Sequence, residues 1–347
     1  MKNKRMSVAM AGLAAIAVTL SGCASSSATT GSEGEASGAE TVQFALTVSI
    51  AGSPGNTSVE MIPDIVSEAT DGRVTVEIVE DVVGPTELLP ALSANRFAGG
   101  HVYTDYMAAT YPAWHVGAVP GLILNEDDIP RIMEEVVLPV MNEDVTREAD
   151  ATSLAIVGTM NTVLWTGDQP VPTAADWQGL SIRANSAFTI QTFRAQGASP
   201  IEMPFSEVYG SLERQIIDGT VASATDIKGV SLHEVLRYGN FFPLGLSSNQ
   251  FIFTNSFLDS LSDDERAALE EGMEEFEEGL FPLYQEQYEA SLAELSELGI
   301  EMVEPSESEV EAYVENGQPV YDWFASEEGA GERGAQMLSE IRDITGH

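Results

Sequence analysis

Arg73-Val74-Thr75-Val76-Glu77-Ile78-Val79-Glu80 sets the frame for the whole chain. Val74, Val76 and Ile78 alternate with Thr75, Glu77 and Val79, the period of a strand with two unlike faces. Immediately upstream, Asp71-Gly72 closes a helix that Asn56-Thr57-Ser58 opens and that runs to about Thr70. Before that helix, Val42 to Ser49 reads as another strand. Downstream, Pro85-Thr86-Glu87 opens a helix from Leu88 to about Phe97, and Gly99-Gly100 leads into a short strand at His101–Tyr103. The order β-α-β-α-β predicts a mostly parallel sheet with helices on its faces.

The alternation resumes further on. Ala155–Val157, Thr162–Trp165, Leu180–Arg183, Pro200–Met203, Val221–Ala224 and Asn249–Thr254 read as strands. Phe188–Gln196 and a segment capped by Ser206 and running through Arg214 read as helices. Leu261 to about Leu298 is different: nearly all helix formers, opened by Ser262-Asp263-Asp264-Glu265 and closed by Gly299. Pro282 is expected to kink it. At about 1.5 Å per residue such a helix reaches past one lobe. A strand at Ile300–Val303 and a helical region from about Ser306 complete the chain. The expected organisation is α/β in two lobes, 41–160 plus about 249–285 in one and 161–248 plus about 286–347 in the other.

The N-terminus carries an address. Lys2, Lys4 and Arg5 precede an apolar run from Met6 to about Leu20, the pattern of a secretory signal over residues 1–22. Leu20-Ser21-Gly22-Cys23 resembles the lipobox of bacterial lipoproteins. The resemblance implies cleavage before Cys23, a lipid on its sulfur and an extracytoplasmic protein anchored to the outer face of the cytoplasmic membrane. The alternative is an ordinary signal peptide with an incidental cysteine. From residue 23 to 40 the chain is Ser, Thr, Gly, Ala and Glu beyond the cysteine, a flexible tether. Cys23 is the only cysteine, so no disulfide braces the fold. No later segment has an apolar run long enough to span a bilayer.

The formal charge is −40, and removing Lys2, Lys4 and Arg5 with the signal takes it to −43. That field repels phosphates and leaves no basic patch, which excludes nucleic acid as a partner. Acids such as Glu270-Glu271 and Glu274-Glu275 fall on predicted helix faces and read as solvated surface. The scarcity of cations sharpens one point. An anionic ligand needs a specific arginine in a sheltered cleft to overcome the field.

Several motifs together resemble one family. Asp176-Trp177-Gln178-Gly179-Leu180-Ser181-Ile182-Arg183 is similar to the D-x-x-G-L-x-I-R motif of DctP-type substrate-binding proteins, which serve tripartite ATP-independent periplasmic (TRAP) transporters. Gly197-Ala198-Ser199-Pro200 and Met203-Pro204-Phe205-Ser206-Glu207-Val208-Tyr209 resemble the family's next block. Ile217-Asp218-Gly219, Thr70-Asp71-Gly72-Arg73-Val74 and Leu261-Ser262 follow the pattern in family order. The resemblance implies two α/β lobes of the periplasmic-binding-protein type, a ligand cleft between them and a long helix crossing both. It also implies an organic acid as ligand, separate membrane permease subunits as partners, and Arg183 as the residue that binds the carboxylate. Sialic-acid-type members carry a further arginine where Gly158 to Trp165 stand here, and many members place an asparagine after V-D-G where Thr220, Val221 and Ala222 stand. Neither is present, which argues for a smaller or more apolar acid.

Position after strands nominates the remaining cleft residues: Ser49 and Ser53; Thr104, Asp105 and Tyr106; Thr225 and Asp226; Asn249 and Gln250. Trp165 is a further candidate, as a ring walling the pocket. Glu207 and Tyr209 read as structural. No cofactor or metal is implied. His101, His115, His233 and His347 accompany no nucleophile elbow or zinc motif. Gly329 to Gly334 spells G-x-G-x-x-G but follows Glu327-Glu328 rather than a strand. The alternatives to a binding protein are a secreted glycoside hydrolase, which needs only two acids, and a non-catalytic surface scaffold.

Overall fold

The computed structural model describes residues 39–50, 52–159 and 162–346. The expected signal, Cys23 and the tether up to residue 38 lie outside the described residues. Two sheets organise the rest. The first contains β1 (Glu40–Leu46), β2 (Val74–Glu80), β3 (Gly99–Tyr103), β4 (Ala151–Thr159) and, from far along the chain, β10 (Ser247–Thr254). The second contains β5 (Thr162–Thr166), β6 (Ser181–Ala184), β7 (Ser199–Glu202), β8 (Gly219–Ser223), β9 (Tyr238–Asn240) and β11 (Glu301–Val303). Their orders are β2-β1-β3-β10-β4 and β11-β9-β5-β8-β6-β7.

The sheets are mixed rather than mostly parallel. β1 is parallel to β2 and β3, but β10 runs antiparallel to both β3 and β4. In the second sheet β5 is antiparallel to β8 and β9, while β11–β9, β6–β7 and β6–β8 are parallel. The physical reason is connectivity. Parallel neighbours need a crossover, usually a helix. β5 and β10 carry the chain from one sheet into the other without one, and so enter against the prevailing direction.

Local caps explain the other departures. The expected helix from Asn56 to Thr70 is two helices, Pro54–Val59 and Ile62–Ala69. Ser53 is the cap, its Oγ accepting from Asn56 N at 3.2 Å. Asn56 is spent on the preceding loop: its Oδ1 accepts from Ile50 N at 2.8 Å and its Nδ2 donates to Ser49 Oγ at 2.9 Å. Pro63 sits in the first turn of the second helix, where its missing N–H costs nothing. Ser206 does not cap a helix; a 3-10 turn at Phe205–Glu207 precedes the helix Val208–Glu213. Between β3 and β4, short 3-10 turns and the helices Ile129–Ile132 and Leu138–Ala149 supply much of the first lobe's core, including Trp114, Ile129 and Met141.

The long helix is Asp263–Glu297 and runs unbroken through Pro282. Its start is a capping box: Ser262 Oγ accepts from Glu265 N at 3.3 Å, and Glu265 Oε2 accepts from Ser262 N at 2.8 Å. Glu265 also pairs with Arg73 at the foot of β2, Nε to Oε1 at 2.6 Å. The Arg73 bond, with the Ser262 N–H, holds the Glu265 carboxyl down to about 2. Leu269, Met273, Phe276 and Leu280 pack into the first lobe with Phe251 and Phe253, whereas Leu295 packs into the second with Trp165 and Ile300. One helix therefore braces both lobes. Ser262→Ala is expected to cost about 1 kcal/mol in urea unfolding; an unchanged midpoint would assign the helix start to the Arg73–Glu265 pair alone.

The C-terminal segment divides between the lobes instead of belonging to the second. Tyr313, on the helix Glu307–Asn316, packs with Trp177 and Phe242 in the second lobe. The helices Gln318–Phe324 and Gly331–Thr345 return to the first, where Val320, Phe324, Met337 and Ile341 share a core with Trp114 and Val145. Phe188, from the second lobe's helix Ala187–Ala195, inserts into that core against Trp323 and Phe324, ring centroids 5.5 and 5.8 Å away.

Candidate functional site

A cleft of about 100 Å3 lies where the two sheets face each other. Tyr103, Asp105, Tyr106, His115, Ser247 and Asn249 line it from the first lobe; Arg183, Asn185, Phe205, Ser223 and Asp226 line it from the second. Tyr284 reaches it from the long helix.

Arg183 stands on β6 with parallel neighbours on both sides, Ile201 of β7 and Thr220 of β8. It is 2% exposed. Its Nε donates to the Met203 carbonyl at 3.2 Å, and its guanidinium lies over the Phe205 ring, 5.4 Å from the centroid. Burial pulls its pKa down, opposed by the Tyr106 phenol and the charges of Asp105 and Asp226. A guanidinium still keeps its proton at neutral pH. Among the described residues, none of the ion pairs within 4.0 Å involves Arg183. It is thus a buried cation, hydrogen-bonded to the Met203 carbonyl and the Tyr106 phenol but paired with no carboxylate within 4.0 Å among the described residues, an arrangement that favours a bound anion.

Two acids share the cleft. Asp226 lies in the first turn of the helix Ala224–Gly229, where Ser223 Oγ accepts from its backbone N–H at 3.1 Å. Burial raises its carboxyl to about 6, against the pull of Ser223 and Arg183. Asp105 follows β3. Its Oδ2 accepts from Ser247 Oγ at 3.1 Å, and His115 Nε2 stands 3.0 Å from its Oδ1. Asn249 Oδ1 meets the fully buried His101 at Nε2, 2.9 Å away. Burial lowers that imidazole to about 4, so it is neutral at pH 7 and donates to Asn249, whose NH2 is left for the cleft. Tyr103 packs edge-on against His101, centroids 5.0 Å apart. Gly55 makes room for it, because a Cβ there would collide with the Tyr103 hydroxyl. At the crossing into β10, Gly245 has φ +92°, and a Cβ would come within 2.5 Å of the Ala118 Cα. Only glycine suits that backbone.

Residues 46–328 match the family model of DctP, bacterial extracellular solute-binding protein, family 7. The chain belongs to that family. Members are solute-binding proteins of the TRAP type and not enzymes, which removes the glycoside hydrolase alternative. A solute-binding protein of Chromohalobacter salexigens is 24% identical over 295 residues, covering 84% of this chain and 85% of the relative. The C4-dicarboxylate-binding periplasmic protein DctP of Rhodobacter capsulatus is 28% identical over 169 residues, about half of each chain (48% and 51%). Among solved structures, a TRAP periplasmic solute-binding protein from Chromohalobacter salexigens with bound D-glucuronate superposes with a TM-score of 0.78 at 22% identity, covering 87% of this chain and 99% of the other. DctP6 of Bordetella pertussis, a receptor binding pyroglutamic acid, gives 0.78 at 17% identity with the same coverage. These likenesses establish the two-lobed α/β fold.

The residues nominated in this DctP-family chain fall into two groups. Arg183, Asp105, Tyr106, Asp226 and Asn249 line one cavity. Trp165, Thr225, Gln250 and Ser49 do not. Trp165 is fully buried in the second lobe's core and its Nε1 donates to the Ala222 carbonyl at 2.9 Å. Gln250 is one strand position from Asn249, hence on the opposite face, and donates to Ser153 Oγ. Thr225 is buried beside Asp226. Ser49 lies in the loop after β1, where its hydroxyl donates to Glu80 Oε2 at 2.7 Å. Thr104 and Ser53 are likewise occupied, Thr104 by the Ser248 hydroxyl at 2.8 Å and Ser53 as a helix cap. His115, Asn185, Phe205, Ser223 and Tyr284 were not nominated. Phe205 stands inside the quoted Met203–Tyr209 block, Ser223 lies in the strand read at Val221–Ala224 and Asn185 follows the one read at Leu180–Arg183; His115 and Tyr284 carry no sequence signal.

Proposed function

We propose that this protein captures a small organic acid between its lobes, with one carboxylate on Arg183, and delivers it to a TRAP-type membrane permease. The observation that carries the reading is the buried guanidinium of Arg183, which no carboxylate among the described residues pairs with inside 4.0 Å. The cleft takes side chains from both lobes, so a ligand touching both favours the closed state. The solved relatives named above hold D-glucuronate and pyroglutamic acid. The high negative charge makes a sheltered arginine necessary for any anion.

The same proposal includes a lipid anchor at Cys23, supported by Leu20-Ser21-Gly22-Cys23. Among the described residues no helix is long and apolar enough to cross a membrane. The intact mass of the mature protein tests the anchor; an unmodified N-terminus would exclude it. Thermal unfolding against mono- and dicarboxylates and sugar acids tests the ligand class. A compound at about a hundredfold over its Kd adds roughly 2.7 kcal/mol, a rise of several degrees in Tm. A shift from neutral sugars or amines, with none from any carboxylate, would sink the reading.

A further inference from the structure

The cleft holds one guanidinium and two carboxylates, and those carboxylates come from opposite lobes. Among the described residues that line it, Arg183 is the only Arg or Lys. An acid on Arg183 satisfies the cation and leaves the carboxylates to be answered. Asp105 already has partners, the Ser247 hydroxyl and the His115 ring. Asp226 accepts from the Ser223 hydroxyl and backbone N–H, but it has no counterpart to the His115 ring, and none of the ion pairs among the described residues reaches it. A second carboxylate on the ligand would be brought against Asp226 and Asp105, a like-charge contact in a poorly solvated site.

We infer that the ligand is a compact zwitterion, its carboxylate on the Arg183 guanidinium and a cationic nitrogen against the Asp226 carboxylate. The inference rests on the carboxylate reading above and narrows it from organic acids to amino-acid-like or betaine-like ones. The site favours such a compound through both ends. Arg183 needs an anion because it is a buried cation, and Asp226, an acid lining the same cavity from the same lobe, has no cation paired with it. The groups that act on Asp226 are consistent with this: Ser223 is neutral, Asp105 repels, and Arg183 is the smallest of the influences on it. Burial has already pushed its proton affinity up, and a bound cation would reverse that.

Titration calorimetry on the mature protein tests this with pairs of equal shape that differ in the nitrogen. Proline is compared with cyclopentanecarboxylate, and trimethylglycine with 3,3-dimethylbutanoate; succinate represents the dianions. In at least one pair the zwitterion should bind ten times more tightly, or better, than its neutral-bodied partner and than succinate. Equal or tighter binding of a neutral-bodied acid or of succinate overturns the inference. If that binding is lost in Arg183→Ala, the carboxylate reading survives it. Binding by none of the compounds overturns both. Asp226→Asn supplies the second readout. It should weaken the zwitterion at least tenfold and leave the matched acid within threefold, and equal losses for both would assign Asp226 a structural role only.

Discussion

Arg183→Ala is expected to abolish useful affinity for the carboxylate ligand. Truncating one member of a buried, hydrogen-bonded charge pair costs about 2–5 kcal/mol, roughly thirty- to several-thousand-fold in Kd. Much of that loss comes from the ligand's carboxylate, which would enter a cleft still holding Asp105 and Asp226 with no cation to receive it. The variant should fold. Arg183 belongs to none of the apolar core clusters, and its removal relieves a desolvated charge. Arg183→Lys separates charge from geometry. An ammonium restores the sign but not the planar fork, so its affinity should fall between wild type and alanine. Calorimetry with any acid that raises the melting temperature measures all three. A Kd for Arg183→Ala within threefold of wild type would remove Arg183 from the binding site.

Strong local patterns made the fold legible. The alternation in Arg73–Glu80 and the capping stretch at Ser262–Glu265 each produced the element they predict, because each is a complete local signal. What the sequence did not disclose depends on packing. β10 slots between β3 and β4 although it lies far along the chain from both, and its antiparallel sense follows from a crossing that no local pattern records. The C-terminal helices show the same limit. Met337, Leu338 and Ile341 declare an apolar face, but not which lobe receives it. In the site, Arg183 was found through a motif and Asp226 and Asn249 through their place after strands. The error there is a single step of the backbone. Gln250 neighbours Asn249 and Thr225 neighbours Asp226, yet one residue of each pair faces the cleft and the other the core. Tyr284 and His115 arrive from a helix and a turn whose contact with the cleft is purely tertiary.

The ligand-free protein should hold its stability nearly level between about pH 6.5 and 4 as far as two buried groups near the cleft are concerned, because they oppose each other. His101 ordinarily titrates at 6.5, and burial lowers it to about 4, its bond to Asn249 acting the other way. The native state therefore binds fewer protons than the unfolded chain in that window. The His101 contribution is full above pH 6.5 and is lost as pH falls through about 4, a change of about 3 kcal/mol. Asp226 ordinarily titrates at 3.8, and burial raises it to about 6. Its contribution has the opposite sense: full below pH 3.8 and lost as pH rises through about 6, again about 3 kcal/mol. Single variants should expose each half. Asp226→Asn should leave the His101 loss uncovered and fall by about 3 kcal/mol relative to wild type between pH 7 and 4. His101→Gln, which keeps a donor for Asn249, should rise by a similar amount over the same interval. Urea unfolding of the three proteins at pH 7, 5.5 and 4 measures this, and exposed pairs such as Arg73–Glu265, which act below pH 4.5, are common to all three. Parallel curves for wild type and His101→Gln would show that the imidazole is not desolvated in the folded protein. The balance bears on binding as well as stability, since protonation of Asp226 near pH 6 removes one of the two charges that a zwitterion would meet. Acidification should therefore weaken a ligand that carries a cationic nitrogen while the fold around it stays intact.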